Sequence, residues 1–189
     1  MVGHTGDFEA TVKAIEAVQN KGSKHQGREN AGKPVADAHE GDALRAALDF
    51  LVARHEPLRS RFPAVAGRPQ QCIDAPAPLR LTELDLCAAD EAGLQAELTR
   101  HARAPFMLAT GPLLRALLVR RSADEYLLML VMQHIVTDAT SNHLLFAELV
   151  AAYAAFAAGT EPALPPLQIQ YADYAFWQRQ QQVEARQVA

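Results

Sequence analysis

The stretch YLLMLVMQHIVTDA, residues 126–139, decides the fold of this chain. Residues 126–132 are apolar and uncharged, and the run stops at Gln133 and His134. An apolar run of this length predicts a β-strand that is buried on both faces. Polar residues at the end of such a strand lie at the edge of the sheet, where α/β proteins commonly bind their ligands.

His134 is followed four residues later by Asp138, a spacing that suits an imidazole with a carboxylate behind it. With seven histidines in 189 residues, this spacing is not specific. Taken alone, it favours a buried histidine that is hydrogen-bonded at a strand end over a catalytic histidine. The rest of the chain has to decide between the two interpretations.

The flanking sequence predicts an α/β sandwich of one sheet with helices against it. Residues 113–121 and 126–133 predict a hairpin, because the short polar stretch SADE joins them. Residues 140–158 predict a helix with Leu144, Leu145 and Leu149 on its buried side. The other predicted helices are 42–55, 90–103 and 169–182, and the other predicted strands are 58–62, 70–73 and 79–84.

Residues 1–40 differ in composition from the rest of the chain. All four lysines lie before residue 34, whereas residues 41–189 hold thirteen arginines and no lysine. Residues 7–20 have apolar side chains at helical spacing and predict a helix. Residues 23–40 have almost no large apolar side chains and predict a linker. The sequence thus predicts a divergent helix and linker over 1–40 and the main lobe over 41–189.

Composition excludes several classes of function. A net charge of −4 argues against a nucleic-acid surface, and no apolar run approaches the ~20 residues of a membrane span. Cys72 and Cys87 are the only cysteines and have no metal-ligand pattern, which fits a reduced, cytoplasmic setting. Since phosphate-binding loops and zinc spacings are absent from the sequence, we expect no directly bound metal or cofactor.

Four segments, in this order, resemble the condensation domains of nonribosomal peptide synthetases. They are RHEPLRSRF (54–62), PFMLATGPLLRALLVR (105–120), MQHIVTDA (132–139) and LPPLQIQYADYAFWQRQ (164–180). The third is similar to the family's His-His-x-x-x-Asp-Gly motif. The resemblance implies a chloramphenicol-acetyltransferase-like two-layer sandwich, with a mixed sheet and flanking helices. It covers about residues 41–182, which correspond to the N-terminal lobe only.

The resemblance also implies a function. Condensation domains join acyl or aminoacyl thioesters, carried on the phosphopantetheine of carrier proteins, through an amide or ester bond. His134 matches the functional histidine, and imidazole, with an ordinary pKa of ~6.5, accepts a proton near neutral pH. The implied partners are carrier proteins and a second lobe or another synthetase domain. A homo-oligomer that completes the site is a further expectation.

Four other residues are expected to shape the site. By resemblance, Asp138 forms an ion pair with Arg59 and so fixes the loop that carries His134. Gln133 stands where the family has its first histidine, and Ala139 stands where it has glycine. Glutamine can still form hydrogen bonds but does not titrate, and the alanine methyl group could narrow the pocket. The family's opening motif is not visible in residues 1–40.

Two other functions stay open at this point. The altered motif, the missing opening segment and the single lobe fit a catalytically impaired remnant, or an interaction module that binds a carrier protein or a neighbouring synthetase domain. A stand-alone acyltransferase that uses coenzyme A donors is a weaker alternative.

Two further groups of residues have structural explanations. Arg54 and His55 lie at the predicted end of helix 42–55, where cations are favourable. The aromatic residues near the C-terminus predict core packing; they are Tyr171, Tyr174, Phe176 and Trp177.

Overall fold

A computed structural model describes residues 10–16 and 38–187. These residues form four helices and eight strands. In chain order they are β1 (Ala10–Glu16), α1 (Ala38–Arg54), β2 (Ser60–Arg61), β3 (Ala64–Val65), β4 (Arg68–Pro69), β5 (Cys72–Ile73), β6 (Leu81–Asp85), α2 (Glu91–Arg103), β7 (Leu114–Arg120), β8 (Tyr126–Gln133), α3 (Ala139–Ala157) and α4 (Tyr171–Gln187). Two short 3₁₀ turns, Glu56–Arg59 and His134–Val136, precede β2 and α3.

The central sheet is mixed, with the strand order β1-β8-β7-β6. Strands β7 and β8 form the predicted antiparallel hairpin, with Leu117 opposite Met129. Strand β6 runs parallel to β7, and β1 runs antiparallel to β8. Residues 127–133 of β8 are all buried, as the apolar run predicts.

Helices cover both faces of this sheet because alternate residues of β7 and β8 point to opposite sides. On one face the strands pack against α1 and α3, with Leu48, Leu130 and Leu149 in one buried cluster. On the other face they pack against α2, with Leu94 and Met129 in a second cluster. The predicted α/β class, with a mixed sheet and flanking helices, is confirmed. Within the described residues, no helix is both long and apolar enough to cross a membrane.

The predicted helix over residues 7–20 is wrong where the structure describes it. Residues 10–16 form strand β1, which pairs with β8 from Ala10 opposite Gln133 to Glu16 opposite Leu127. Apolar residues at helical spacing misled the prediction, whereas β-branched Val12 and Ile15 also suit a strand. The open edge of β8 gains a hydrogen-bonding partner by this pairing. The remainder of that predicted helix lies outside the described residues.

The predicted linker over residues 23–40 ends earlier than expected. Helix α1 begins at Ala38, so its first turn occupies 38–40. Residues 23–37 lie outside the described part of the chain. The domain boundary at residue 41 therefore stays a prediction, although β1 already belongs to the central sheet.

The aromatic residues of α4 do not pack into the core, which corrects the sequence prediction. Tyr171, Tyr174, Phe176 and Trp177 are between 42% and 66% exposed. Three of the rings pack side by side instead. The ring centroids of Tyr171 and Tyr174 lie 6.0 Å apart, and those of Tyr174 and Trp177 lie 5.9 Å apart. A pattern of aromatic residues indicates that a surface is apolar, but it does not identify the element that would cover it.

Helix α3 likewise presents an apolar outer face. Leu144, predicted on the buried side, is 52% exposed, and Val150 is 55% exposed. The core residues of this helix include Leu145 and Leu149 instead. The helix is apolar on nearly all sides, so hydrophobic periodicity could not define which side faces the sheet.

We predict that Leu130→Ala lowers the free energy of unfolding by ~2–5 kcal/mol, because it leaves a cavity between the sheet and its helices. Leu144→Ala is the matched control, and we expect a change within ~0.5 kcal/mol at this exposed site. Urea denaturation of the two variants measures both effects. Equal losses in the two variants would contradict the assignment of the core.

Candidate active site

His134 lies where β8 leaves the sheet. The strand ends at Gln133, and a single 3₁₀ turn, His134–Val136, connects it to the start of α3. His134 and Ile135 are exposed, whereas the strand residues before them are buried. The imidazole is therefore held on a rigid strand end and faces solvent, and the interpretation as a buried histidine is wrong.

One hydrogen bond defines the protonation of the His134 ring. Its Nδ1 lies 2.7 Å from the carbonyl oxygen of Thr137. A carbonyl oxygen can only accept, so Nδ1 carries the hydrogen and donates it. In the neutral ring Nε2 then has a free lone pair. This is the form of histidine that can accept a proton from a substrate.

Gln133 shapes the turn that carries His134. Its side chain is buried, and its Oε1 accepts a hydrogen bond from the backbone N–H of Ile135 at 2.8 Å. Its own backbone N–H donates to the carbonyl oxygen of Leu113 at 3.0 Å. The side chain thus caps the 3₁₀ turn from inside the protein.

Asp138 caps helix α3. Its Oδ1 accepts a hydrogen bond from the backbone N–H of Ser141 at 2.7 Å, in the usual geometry of an N-cap. Hydrogen bonds from Ser141 lower the pKa of the Asp138 carboxyl group, and the nearby His134 contributes in the same direction. Asp138 therefore fixes the start of the helix directly behind the histidine.

The predicted ion pair between Arg59 and Asp138 is not formed. Arg59 donates from Nη1 to the carbonyl oxygen of Asp74 at 2.5 Å, and its Nη2 lies 3.5 Å from a carboxylate oxygen of Glu56. Among the described residues, no ion pair within 4.0 Å connects Arg59 to Asp138. The prediction was wrong because the first turn of α3 engages Asp138 and the β2–β5 region engages Arg59.

Ala139 is the first residue of α3 and is exposed. It does not have the positive φ that would favour glycine, because Ala66 is the residue other than glycine with positive φ in the described chain. The alanine therefore fits the backbone without strain. Its methyl group lies next to the site, where a glycine would leave more space.

A buried carboxylate that the sequence analysis missed connects the helices on one face of the sheet. Glu148 of α3 accepts two hydrogen bonds from Arg54, at 3.0 and 3.1 Å, and lies 2.6 Å from Nε2 of His55. Arg54 also donates to the carbonyl oxygen of Pro165 at 2.7 Å. The sequence did contain a signal for this site, because Glu148 is the single acidic residue in the Leu- and Ala-rich segment 139–157.

The environment of Glu148 affects its pKa in two directions. Burial raises the pKa of the carboxyl group, but hydrogen bonds from Arg54 and His55 and their charges outweigh it, so the pKa is lowered overall. Glu148 is therefore a carboxylate that stays ionised because its partners are fixed around it. It holds α1, α3 and the segment before α4 together.

The site is open in this chain. A cavity of about 260 Å³ lies between the sheet and the end of α2, but its lining does not include His134. In the described residues, no group of three or more His, Cys, Asp or Glu side chains is arranged to hold a metal ion. The chemistry offered at the site is that of one exposed imidazole with a defined tautomer.

Comparisons with known proteins now identify the fold family. Residues 35–189 match the family model described as the condensation domain. The chain belongs to the condensation-domain family. It is 43% identical over 159 residues to phosphinothricin tripeptide synthetase PhsC of Streptomyces viridochromogenes, which covers 82% of this chain and 14% of that protein. It is 42% identical over 149 residues to chondramide synthase cmdD of Chondromyces crocatus, which covers 76% of this chain and 4% of that one.

Solved condensation-type structures agree with this assignment. The crystal structure of the X-domain from teicoplanin biosynthesis superimposes with a TM-score of 0.76 and 32% identity, over 94% of this chain and 35% of that chain. A condensation domain for chain release from the enacyloxin polyketide synthase superimposes with a TM-score of 0.63 and 28% identity, over 90% of this chain and 30% of that one. This condensation-domain chain thus spans about a third of these structures.

We predict that Asp138 acts in this condensation-domain chain as a helix cap and not as an ion-pair partner. Asp138→Ala should lower the free energy of unfolding by ~1 kcal/mol, whereas Asp138→Asn, which keeps the accepting oxygen, should stay close to wild type. An ion pair would need the charge, so the asparagine variant would then lose as much as the alanine variant. Urea denaturation of the three proteins distinguishes the two cases.

We also predict that Glu148 makes stability depend on acid pH. Its folded-state pKa lies below the ordinary value of 4.5, so its contribution is fully present above that value and is lost as the pH falls through the folded-state pKa. Glu148→Gln should be less stable than wild type near pH 7, and the difference should shrink as the pH falls below 4.5.

Thermal unfolding across this pH range checks the prediction for Glu148. The exposed Glu161→Gln is the matched control and should follow the wild type at every pH. A stability difference between Glu148→Gln and wild type that stays constant with pH would contradict the assignment of a stabilising carboxylate.

Proposed function

We propose that this chain is the N-terminal, histidine-bearing part of a condensation-type acyltransferase in nonribosomal peptide synthesis. The reaction joins an acyl or aminoacyl thioester to the amine, or hydroxyl, of a second carrier-bound substrate. The observation that supports it most is the exposed His134 ring at the end of β8, whose Nδ1 is bound to Thr137, so that the lone pair of the neutral ring lies on Nε2. Fold alone would not be sufficient, because one fold hosts many functions.

His134 can act directly on the attacking amine. As the amine nitrogen forms a bond to the thioester carbonyl carbon, Nε2 accepts the proton that the nitrogen loses. When the carbon–sulfur bond breaks, the departing thiolate of the phosphopantetheine arm takes up that proton. A hydrogen bond from the amine to Nε2 also orients the amine before the attack. The carbon–nitrogen bond replaces the carbon–sulfur bond, and this exchange needs no metal or redox group.

Other parts of a condensation domain are needed to enclose this site. Exposed apolar side chains on α3 and α4, including Leu144, Val150 and Trp177, form surfaces of the kind that proteins usually cover. The chain also spans only 35% of the X-domain structure. We infer that the remaining lobe, from the same or another chain, packs here, and that carrier proteins deliver their phosphopantetheine-bound substrates to His134. We propose that the protein acts in the cytoplasm, since its relatives are peptide synthetases.

The second candidate is an interaction module that lacks condensation activity. Two observations favour it: Gln133 and Ala139 replace motif residues, and the X-domain from teicoplanin biosynthesis is a similar structure that was also solved in a complex with OxyB. Such a module would bind a neighbouring protein through the same fold and would not need the imidazole of His134.

One variant distinguishes the two functions. We predict that His134→Ala lowers product formation by at least ~100-fold when the chain is combined with the remaining lobe of a condensation domain, because the proton acceptor is lost. The assay supplies donor and acceptor substrates on carrier proteins and detects the condensed product by mass spectrometry. His143→Ala, an exposed histidine on α3, is the matched control and should keep wild-type activity.

The outcome is decisive in either direction if circular dichroism shows that both variants fold. Equal product formation by wild type and His134→Ala would remove His134 from the mechanism. Retained carrier binding without product from any of the three proteins would favour the interaction module.

A further inference from the structure

A buried pair of polar side chains lies directly behind His134. Thr137 donates a hydrogen bond from Oγ1 to Oδ1 of Asn142 at 2.6 Å. We propose that Asn142, acting through Thr137, is a positioning residue that fixes the tautomer of His134. The effect on catalysis depends on the function proposed above, whereas the effect on the tautomer does not.

The contacts form a continuous path from Asn142 to the imidazole. The side chain of Asn142 holds the side chain of Thr137, and the backbone carbonyl of Thr137 accepts the hydrogen of Nδ1 in His134 at 2.7 Å. The backbone N–H of Asn142 also donates to the carbonyl oxygen of Asp138 at 3.0 Å, which closes the first turn of α3. The side chain of Thr137 is thus held by the first turn of the helix, while its carbonyl oxygen holds the histidine.

The burial of this pair indicates that it has a specific role. Asn142 is 1% exposed and Thr137 is 9% exposed. Asparagine is a poor helix former, and a buried amide is unfavourable unless it is hydrogen-bonded. An apolar side chain would fill the same place in α3 with less difficulty. The hydroxyl of Thr137 donates a hydrogen bond to the amide of Asn142. The same hydrogen bond fixes the orientation of Thr137.

The orientation of Thr137 matters because neutral histidine has two tautomers. With the carbonyl oxygen in place, hydrogen on Nδ1 is favoured and Nε2 presents its lone pair. If residue 137 can rotate, the Nδ1 hydrogen loses its acceptor and the other tautomer becomes populated. In that form Nε2 carries a hydrogen towards the substrate and cannot accept one from an attacking amine.

Nitrogen-15 NMR of the imidazole rings in the full 189-residue chain tests this inference. Spectra are recorded at about pH 8.5, where ordinary imidazoles are neutral. For wild type we expect His134 almost entirely with hydrogen on Nδ1. Asn142→Leu and Thr137→Val should each shift His134 towards the tautomer mixture of the exposed His143, which serves as the internal reference.

Two further variants separate positioning from a merely structural role. Thr137→Ser keeps the hydroxyl and should restore the wild-type tautomer of His134. The double variant Thr137→Val with Asn142→Leu removes both polar side chains of the pair, so neither strands the other, and it should regain thermal stability relative to the single variants. Its His134 ring should nevertheless keep the mixed tautomer. In the double variant the thermal stability would then recover while the tautomer of His134 would not.

An unchanged His134 tautomer in Thr137→Val and Asn142→Leu would overturn the inference, whatever the condensation activity. Recovery of both stability and tautomer in the double variant would also overturn it, because the pair would then be structural only. If the tautomer shifts as expected while His134→Ala retains full product formation, the positioning role stands and the proposed catalytic function fails.

Discussion

The placement of the site depends on one constraint, the burial of residues 127–133 of β8. A strand with packed layers on both faces cannot carry an ionisable side chain until it leaves the sheet, because an unpaired buried charge is strongly unfavourable. The apolar run therefore ends where the strand emerges, and His134 is its first exposed residue. The hairpin with β7 fixes the register of β8. The buried sheet thereby fixes the position of the His134 imidazole at the end of the strand.

Helix α3 is fixed at two places by different physical means. At the N-terminus, Asp138 and Asn142 satisfy backbone and side-chain hydrogen bonds close to His134. Near the middle of the helix, Glu148 engages Arg54 and His55 of the neighbouring segment. A buried ion pair of this kind is a weak source of net stability compared with apolar packing, but it permits one arrangement only. The first turn of α3 is thus ordered by local hydrogen bonds, and its middle is held against the end of α1.

The sequence predicted those features that a local pattern determines. The hairpin, the helices of the main lobe and the position of His134 follow from periodicity, turn composition and the end of the apolar run. Features that depend on partners distant in sequence were missed or wrong. Residues 10–16 form a strand because they pair with the edge of β8. Arg59 donates to the carbonyl oxygen of Asp74 and does not pair with Asp138. For the same reason, the aromatic residues of α4 showed an apolar surface without showing what covers it.

The surroundings of Gln133 and Ala139 explain how the chain accommodates these two departures from the family motif. Gln133 uses its side-chain oxygen to cap the turn that carries His134, so glutamine supplies a buried hydrogen-bond acceptor at this position without a titrating group. Ala139 adopts an ordinary helical backbone, so glycine is not required there for conformational freedom. Neither substitution changes the His134 ring or its hydrogen bond to Thr137. The altered motif is thus compatible with an exposed His134 ring whose Nδ1 hydrogen is bound, which is the arrangement on which the proposed function depends.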